Sequence, residues 1–303
     1  MKKLILAFSL LLSVLASAQQ APQYTQYMYN TINVNPAYAG SRGVLSVFGL
    51  HRSQWVGMDG APTTNSFSIN TPLAESRLGL GVSLVSDKIG PTKENNVSTD
   101  ISYYIPVSED YRLSFGVKGS LNFLDVDFSK LNIYDPSDPL FQNNIENKLS
   151  PNVGAGVYLH SDKTYFGFSI PHMLRTKHYD DNTYSVAENR MHMYLMGGHV
   201  FDLSYDLQFK PAVLAKYVNG APLQVDLSAN FWLYEKFTLG AAYRWDAAVS
   251  GLAGFQISDQ LFIGYTYDAE TTRLANYNSG SHEIFLRYEF LNYAKKVITP
   301  RFF

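Results

Sequence analysis

Apolar and polar residues alternate over long segments of this chain. In residues 112–123 every second residue is apolar or glycine, and the residues between them are mostly polar. The same period of two runs through 205–217 and 223–233. Successive side chains of a β-strand point to opposite faces, so the pattern predicts long strands with one apolar face.

Segments of this kind, bounded by turn residues, predict fourteen strands. They lie near 43–55, 62–71, 77–88, 94–107, 110–124, 150–160, 164–170, 190–201, 205–217, 222–233, 236–245, 248–257, 260–268 and 280–290. Many are longer than the roughly 5–6 residues of a typical globular strand. A tilted strand needs about 9–11 residues to cross a bilayer, with one face toward lipid and the other toward a polar lumen. The sequence therefore predicts an all-β fold, a transmembrane antiparallel β-barrel of about fourteen strands.

Connection lengths between the predicted strands point to the same fold. Connections after even-numbered strands are short, as at 108–109 and 258–259, whereas those after odd-numbered strands include 125–149, 171–189 and 269–279. Outer-membrane barrels combine short periplasmic turns with longer extracellular loops. The alternative is a pair of soluble β-sandwiches, which have shorter strands and no reason to sort connection lengths in this way.

Two predicted strands depart from strict alternation. In 44–55 and in 191–201, apolar residues occupy both faces. A plug inside the lumen would account for the first of these strands, because its lumen face would then pack against the plug.

The first 18 residues have the organisation of a secretory signal peptide. Lys2 and Lys3 precede an apolar run at 4–15, and Ala16-Ser17-Ala18 is a small-residue cleavage site. The apolar run is shorter than the roughly 20 residues of a spanning helix. The expected organisation is a signal peptide at 1–18, an N-terminal periplasmic or plug-side segment at 19–42, the barrel at 43–290 and a C-terminal tail at 291–303.

Composition narrows the possible chemistry. The 303 residues include 22 Tyr and 19 Phe but no Cys, and the formal net charge is −2. Without cysteine the chain can form no disulfide, thiolate zinc site or Cys nucleophile. A near-neutral charge argues against nucleic acid as a partner, because phosphate binding depends on a basic surface.

Histidine and carboxylate residues do not follow a metal or catalytic motif. His192 and His199 are seven positions apart, so on one strand they point to opposite faces. The residues Asp135, Asp138 and Glu146 lack the graded spacing of a calcium loop. The sequence has no nucleophile elbow, phosphate loop or dinucleotide fingerprint. We expect no catalytic residue, no cofactor and no resident metal, and an outer-membrane hydrolase is the least favoured alternative.

The chain resembles one known family in four segments. These are PQYTQYMYNTINVNPAYAGSRG at 22–43, YRWDAAVSGLAGFQISDQLFIGYTYD at 243–268, NSGSHEIFLRYEF at 278–290 and TPRFF at 299–303. They resemble the PorP/SprF family of type IX secretion-system membrane proteins. The resemblance implies a Bacteroidota outer-membrane β-barrel associated with protein secretion and, for some members, with gliding motility. It also implies three partners: an exported surface protein with a C-terminal sorting domain, other periplasmic and outer-membrane secretion components, and outer-membrane lipid.

The residues of the family motif allow two interpretations. They are Asn35, Pro36, Ala37, Tyr38 and Gly40. In the first, they form a tight turn, in which Pro36 fixes φ and Gly40 permits a positive φ before the first strand. In the second, this aromatic segment, which also carries Tyr24, Tyr27 and Tyr29, lies at the periplasmic mouth and docks periplasmic machinery. The basic tail is a second candidate docking site, with the residues Pro300, Arg301, Phe302 and Phe303.

The predicted mechanism is that of a scaffold. A closed barrel satisfies its own backbone hydrogen bonds in lipid, which leaves its loops free to hold a partner. We expect the loops at 125–149 and 171–189 to contact the sorting domain of the exported protein through Tyr134, Leu140, Phe141, Met173, Leu174 and Tyr179. The alternative is a passive, porin-like channel lined by Arg112, Lys118, Asp226 and Arg244.

Overall fold

Long antiparallel strands close into a barrel in the computed structural model of the protein. The structure describes residues 24–74, 76–131, 144–174, 176–177, 188–189 and 191–290. The strands of these residues are β1 (Leu45–Ser53), β2 (Thr63–Pro72), β3 (Leu78–Ile89), β4 (Thr92–Pro106), β5 (Arg112–Val126), β6 (Ile145–His160), β7 (Thr164–Ile170), β8 (Thr176–Lys177), β9 (Glu188–Asn189), β10 (His192–His199), β11 (Phe201–Ser204), β12 (Leu207–Val218), β13 (Gln224–Leu233), β14 (Phe237–Arg244), β15 (Ala248–Gln256), β16 (Leu261–Glu270) and β17 (Ser281–Phe290).

Helical structure is sparse in these residues. A four-residue helix α1 (Thr31–Val34) precedes the first strand, and short 3₁₀ turns lie at Pro36–Tyr38, Phe128–Lys130 and Arg273–Asn276. Over the described ranges, no helix has the length and apolar character needed to cross a membrane.

The barrel closes through pairing of its first and last strands. β1 pairs with β17 from Leu45↔Phe290 to Ser53↔His282, and the remaining neighbours pair in chain order. β10 and β11 both pair with β12 and form one strand interrupted at Val200, whereas the two-residue strands β8 and β9 pair with each other in a separate sheet. The described strands thus form a closed fourteen-stranded antiparallel barrel, which confirms the predicted fold class.

The two ends of the barrel differ in their connections. At the end where the chain enters β1 and leaves β17, the connections are short, as at 161–163 and 205–206. The opposite end carries the longest ones, at 127–144 and 171–191. We call these the turn end and the loop end. In outer-membrane barrels the short turns are periplasmic.

The polarity of the wall is the reverse of that in a soluble protein. Along most of β5 the inward residues are polar or glycine, such as Ser114, Lys118 and Ser120, whereas Phe115 and Val117 are exposed on the outer face. The same parity holds on β12 and β13. A lipid-facing surface requires apolar side chains outside, so the alternation predicted from the sequence corresponds to lumen and lipid faces.

The predicted boundary between the fifth and sixth strands is wrong. β6 begins at Ile145 instead of 150, and β5 continues to Val126. The register shifts between Leu124 and Val126, so β5 keeps its alternation while β6 changes parity, and Ile145 comes to lie opposite Val126. Beyond the bulge, Leu124, Val126, Phe128 and Ile145 pack into a small apolar cluster. Part of the loop predicted at 125–149 is therefore an extension of the hairpin.

Candidate functional site

The barrel interior is occupied by the chain's own N-terminal residues. Residues 24–42, which we call the lumen segment, run inside the wall from the loop end to the turn end. Tyr27, Met28, Ala37 and Tyr38 are each 3% exposed or less. Tyr24, Tyr27, Tyr29 and Tyr38, for which a docking surface at the periplasmic mouth was expected, are buried in one cluster with apolar residues of the wall.

The lumen segment explains the two strands with apolar residues on both faces. Phe48 and Leu50 of β1 point inward, as do Tyr194 and Met196 of β10, and all four belong to one buried cluster with the lumen segment. Outward neighbours such as Leu195 are exposed on the lipid side. Both faces of these strands are apolar because one meets lipid and the other meets the lumen segment.

Glycines on four strands bring the wall against the turn-end half of the lumen segment. We call them the glycine track: Gly79 on β3, Gly116 on β5, Gly156 on β6 and Gly167 on β7. A Cβ atom at Gly116 would overlap the backbone nitrogen of Ala37, and one at Gly156 would overlap Oδ1 of Asn35. Only glycine lets the two backbones approach this closely.

The family-motif residues form a compact turn on this track. Asn35 is extended (φ −133°, ψ 112°), and its Oδ1 accepts a hydrogen bond from the backbone nitrogen of Ala37 at 3.0 Å. This caps the 3₁₀ turn, where Pro36 at the first position costs no hydrogen bond. Nδ2 of Asn35 donates to the carbonyl of Val157 at 3.0 Å, which joins the turn to β6. Gly40 has a φ of +72° and lies against the wall.

The loop-end half of the lumen segment is held by polar groups. Thr25 and Gln26 donate their backbone N–H groups to Oε2 and Oε1 of Glu283, at 3.2 and 2.9 Å. Oγ1 of Thr25 donates to the carboxylate of Asp268 at 2.8 Å, and Nε2 of Gln26 donates to Oγ1 of Thr266. Thr25 and Gln26 are thus joined to the wall by both backbone and side-chain hydrogen bonds.

An arginine balances the two carboxylates. Arg52 on β1 pairs with Asp268 at 2.7 Å and with Glu283 at 3.1 Å, and all three are 3% exposed or less. We call Arg52, Thr266, Asp268 and Glu283 the loop-end cluster. Arg244 adds a second ion pair nearby, to Asp226 at 2.8 Å.

Sequence reasoning did not single out the loop-end cluster. Its signal was the presence of charged residues at inward positions of three strands that are adjacent in the barrel, β1, β16 and β17. Of the residues expected to line a lumen, Lys118, Asp226 and Arg244 do face inward. Arg112 lies exposed at the turn end, over the ring of Tyr104 at 5.5 Å.

Tyr29 joins the two halves of the lumen segment. Its ring packs against Phe262 and Phe285, with centroid distances of 5.5 and 4.7 Å. Two cations lie over the same ring, Lys210 at 5.8 Å and Arg287 at 5.7 Å. Such contacts favour a cation in surroundings that are otherwise apolar.

Two of the expected client-contact residues lie on an ordered rim at the loop end. Met173 and Leu174 are 41% and 47% exposed. The nitrogen of Met173 donates to the carbonyl of Val153 at 2.8 Å, and both backbone groups of Leu174 bond the side chain of Asn152. Burial lowers the pKa of the adjacent His172 to about 4, so its imidazole is neutral at neutral pH.

The other residues of the expected docking and client-contact sets lie outside the described residues. They are Tyr134, Leu140, Phe141, Tyr179, Pro300, Arg301, Phe302 and Phe303.

Histidines and carboxylates do not gather into a metal centre in the ranges that the structure describes. No group of three or more such side chains there could hold an ion. His192 is buried on the lumen face, and His199 is hydrogen-bonded to Thr164 at 2.6 Å across the β7–β10 pair.

Comparison with protein families decides the identity. The family described as type IX secretion system membrane protein PorP/SprF matches residues 16–288. The chain belongs to the PorP/SprF family. This PorP/SprF protein is therefore associated with type IX secretion, and its family and fold together indicate an outer-membrane location. No curated relative matches the chain.

The solved structures similar to this PorP/SprF protein include a transporter and a hydrocarbon channel. The toluene transporter TbuX of Ralstonia pickettii is 9% identical, with a TM-score of 0.51 over 88% of this chain and 94% of that one. The monoaromatic hydrocarbon channel CymD is 11% identical, with a TM-score of 0.51 over 89% and 94%. At such low identity the likeness establishes the barrel fold alone.

Proposed function

We propose that this protein is a non-enzymatic outer-membrane scaffold that supports export and surface anchoring of a cognate protein with a C-terminal sorting domain. The proposal combines family membership with one observation, the occupied lumen. Residues 24–42 fill the interior, so the loops and rims are the surfaces available to a partner. A closed barrel can present these surfaces because its backbone hydrogen bonds are satisfied within the wall.

The proposed contact surface for the exported protein is the loop end. Met173 and Leu174 present apolar side chains on a backbone fixed to β6, and such preorganised apolar groups suit a protein interface. The loop residues Tyr134, Leu140, Phe141 and Tyr179 belong to the same proposed surface. On the periplasmic side, Pro300, Arg301, Phe302 and Phe303 are proposed to dock other secretion components.

Affinity purification tests the scaffold function. The tagged protein is purified from mildly solubilised native outer membrane, and co-purifying proteins are identified by mass spectrometry. We expect a large exported protein with a sorting domain. Recovery of the barrel alone, from a strain that expresses it at its native level, would contradict stable anchoring.

Substitutions at the rim locate the contact. Replacing Met173 and Leu174 by serine should reduce the recovered client at least about tenfold, as expected if both are interface anchors. The matched control replaces Val107 and Ile257 by serine, since these two are exposed apolar residues at the turn end. Recovery in the control should equal that of the unmodified protein, and an equal loss in both variants would exclude a loop-end contact.

Delivery to the membrane is proposed to depend on residues 1–18 as a signal peptide. Amino-terminal sequencing of protein purified from the outer membrane should then begin at or near Gln19. A mature chain that begins at Met1 would contradict this proposal.

A passive channel is the competing function. With residues 24–42 in the lumen, we expect no large steady conductance when the purified protein is inserted in a planar bilayer. A stable open conductance would favour the channel over the scaffold.

A further inference from the structure

The lumen segment is recognised at the loop end through its backbone. The carboxylate of Glu283 accepts the N–H groups of two consecutive residues, Thr25 and Gln26. Charge-assisted bonds of this kind are stronger than neutral ones, and they do not depend on which side chains the two residues carry. Side-chain readout is added by Asp268, which accepts from the Thr25 hydroxyl, and by Thr266, which accepts from the Gln26 amide.

The two carboxylates that make these contacts belong to the wall, and ion pairs with Arg52 orient them. Arg52, Asp268 and Glu283 come from the adjacent strands β1, β16 and β17, and their ion pairs are 2.7 and 3.1 Å long. The two carboxylates are therefore oriented by Arg52 of the wall, in addition to their contacts with the lumen segment. Preorganisation of this kind lowers the entropic cost of binding a ligand.

The two halves of the lumen segment differ in the contacts that would have to break for each to separate from the wall. Residues 35–40 interlock with the glycine track, where a single Cβ atom would overlap their backbone. Residues 24–30 meet the wall through hydrogen bonds such as Asn30 to Ser66 at 3.2 Å and through side-chain packing. Separating them from the wall would break these hydrogen bonds and packing contacts, with none of their backbone interlocked on the glycine track.

We propose that the loop-end cluster is a peptide-binding site, that residues 24–30 are its resident ligand, and that a peptide of the same sequence supplied in trans replaces them. The ligand class is an extended peptide with two successive free N–H groups, a hydroxyl side chain on the first residue and an amide side chain on the second. The site is distinct from the proposed client-contact rim and does not depend on it.

Cysteine labelling of the full-length protein tests the exchange. The chain has no native cysteine, so single cysteines report one position each. Met28→Cys places the probe in the half proposed to leave, without removing a contact to the loop-end cluster. Val34→Cys is the matched control, one residue before the interlocked residues 35–40, and both positions are buried, at 1% and 7% exposure.

The ligand in this experiment is a synthetic peptide with the sequence of residues 24–30, YTQYMYN, present at millimolar concentration. It must compete with a tethered copy, whose effective concentration is in the millimolar range. We expect the maleimide labelling rate of Met28→Cys to rise about tenfold and that of Val34→Cys to stay unchanged. The same peptide N-methylated at the threonine and glutamine nitrogens cannot donate to Glu283, so it should have no effect.

Two substitutions on β17 connect the exchange to the cluster. Glu283→Gln removes the charge that holds the two N–H groups, so Met28→Cys should label faster without peptide and respond to peptide no further. Glu289→Gln alters a carboxylate of the same strand at the turn end, where it pairs with Arg42, and should label like the parent.

Three outcomes would overturn the proposal. The first is a labelling rate of Met28→Cys that does not change when the peptide is added. The second is equal acceleration of Val34→Cys, because the whole lumen segment would then leave together. The third is an equal effect of the N-methylated peptide, which would exclude backbone recognition. Since the last comparison uses the parent protein, it remains informative even where Glu283→Gln fails to fold.

Discussion

The two halves of the lumen segment are held in the barrel by different kinds of interaction. At the turn end, residues 35–40 are held by shape, because the glycine track removes the side chains that would keep two backbones apart. At the loop end, Thr25 and Gln26 are held by charge, through Glu283 and its ion pair with Arg52. Close packing tolerates little displacement, whereas a hydrogen-bonded contact can open and re-form. This difference is the basis for the proposal that residues 35–40 stay fixed while residues 24–30 can be exchanged.

The largest effect is expected at Arg52. Arg52→Met leaves Asp268 and Glu283 buried without their cation, and breaking a buried ion pair in this way costs about 3–5 kcal/mol. The measurement is the free energy of unfolding in urea with the protein in lipid vesicles. The control is Lys163→Met, which breaks the exposed pair with Asp202 and should cost less than about 1 kcal/mol. Equal costs would mean that the loop-end cluster is solvated.

The glycine track gives the next largest effect. Gly116→Ala forces a Cβ atom onto the backbone of Ala37, and overpacking of this kind costs about 1–3 kcal/mol in free energy of unfolding. Gly119 lies on the same strand but faces outward, and nothing lies within 4 Å of an added Cβ atom there. Gly119→Ala should therefore be nearly neutral. If both variants unfold at the same urea concentration, residues 35–40 are not seated as described.

Asn35 tests whether the turn is part of the fixed half. Asn35→Ala removes the cap on Ala37 and the bond to Val157, so a loss of about 1–2 kcal/mol is expected. The control is Asn65→Ala, which removes an exposed hydrogen bond to His51 and should change stability by less than about 0.5 kcal/mol. Both are measured by the same urea titration. An unchanged Asn35→Ala titration would show that shape alone holds this half.

The smallest expected effect is at Ser102. Its hydroxyl donates to the carbonyl of Ala39 at 2.6 Å, and Ser102→Ala should cost about 1 kcal/mol in free energy of unfolding. Ser83 is also buried on the lumen face, but its hydroxyl has no hydrogen-bond partner among the described residues. Ser83→Ala should therefore be neutral. A larger loss at Ser83 than at Ser102 would contradict the assignment of this bond.

The strands of the wall were predictable from sequence because each strand is encoded by a pattern of neighbouring residues. Alternation with period two reports which residues face lipid, and it located the strands and the long connections to within a few residues. It missed the first residues of β6, where the bulge opposite Leu124 and Val126 shifts the parity.

The path of the lumen segment and its contacts with the wall were much less predictable. Apolar residues on both faces of β1 pointed to a plug, but not to its path. Arg52 and Glu283 are 231 positions apart and meet only because β1 closes onto β17. The glycine track was hidden for another reason: glycine fits either face of an alternating pattern, so four glycines with a shared role leave no periodic signal.

The position of the lumen segment in the chain bears on how the barrel can assemble. The segment precedes β1 directly, and every strand that contacts it follows later in the chain. The growing sheet can therefore curl around a segment that is already in place, so nothing has to be threaded into a finished cylinder. The last strand to arrive, β17, brings Glu283 to Thr25 and Gln26 as it pairs with β1. Closure of the barrel by β17 and binding of the amino-terminal end of the lumen segment therefore occur in the same step.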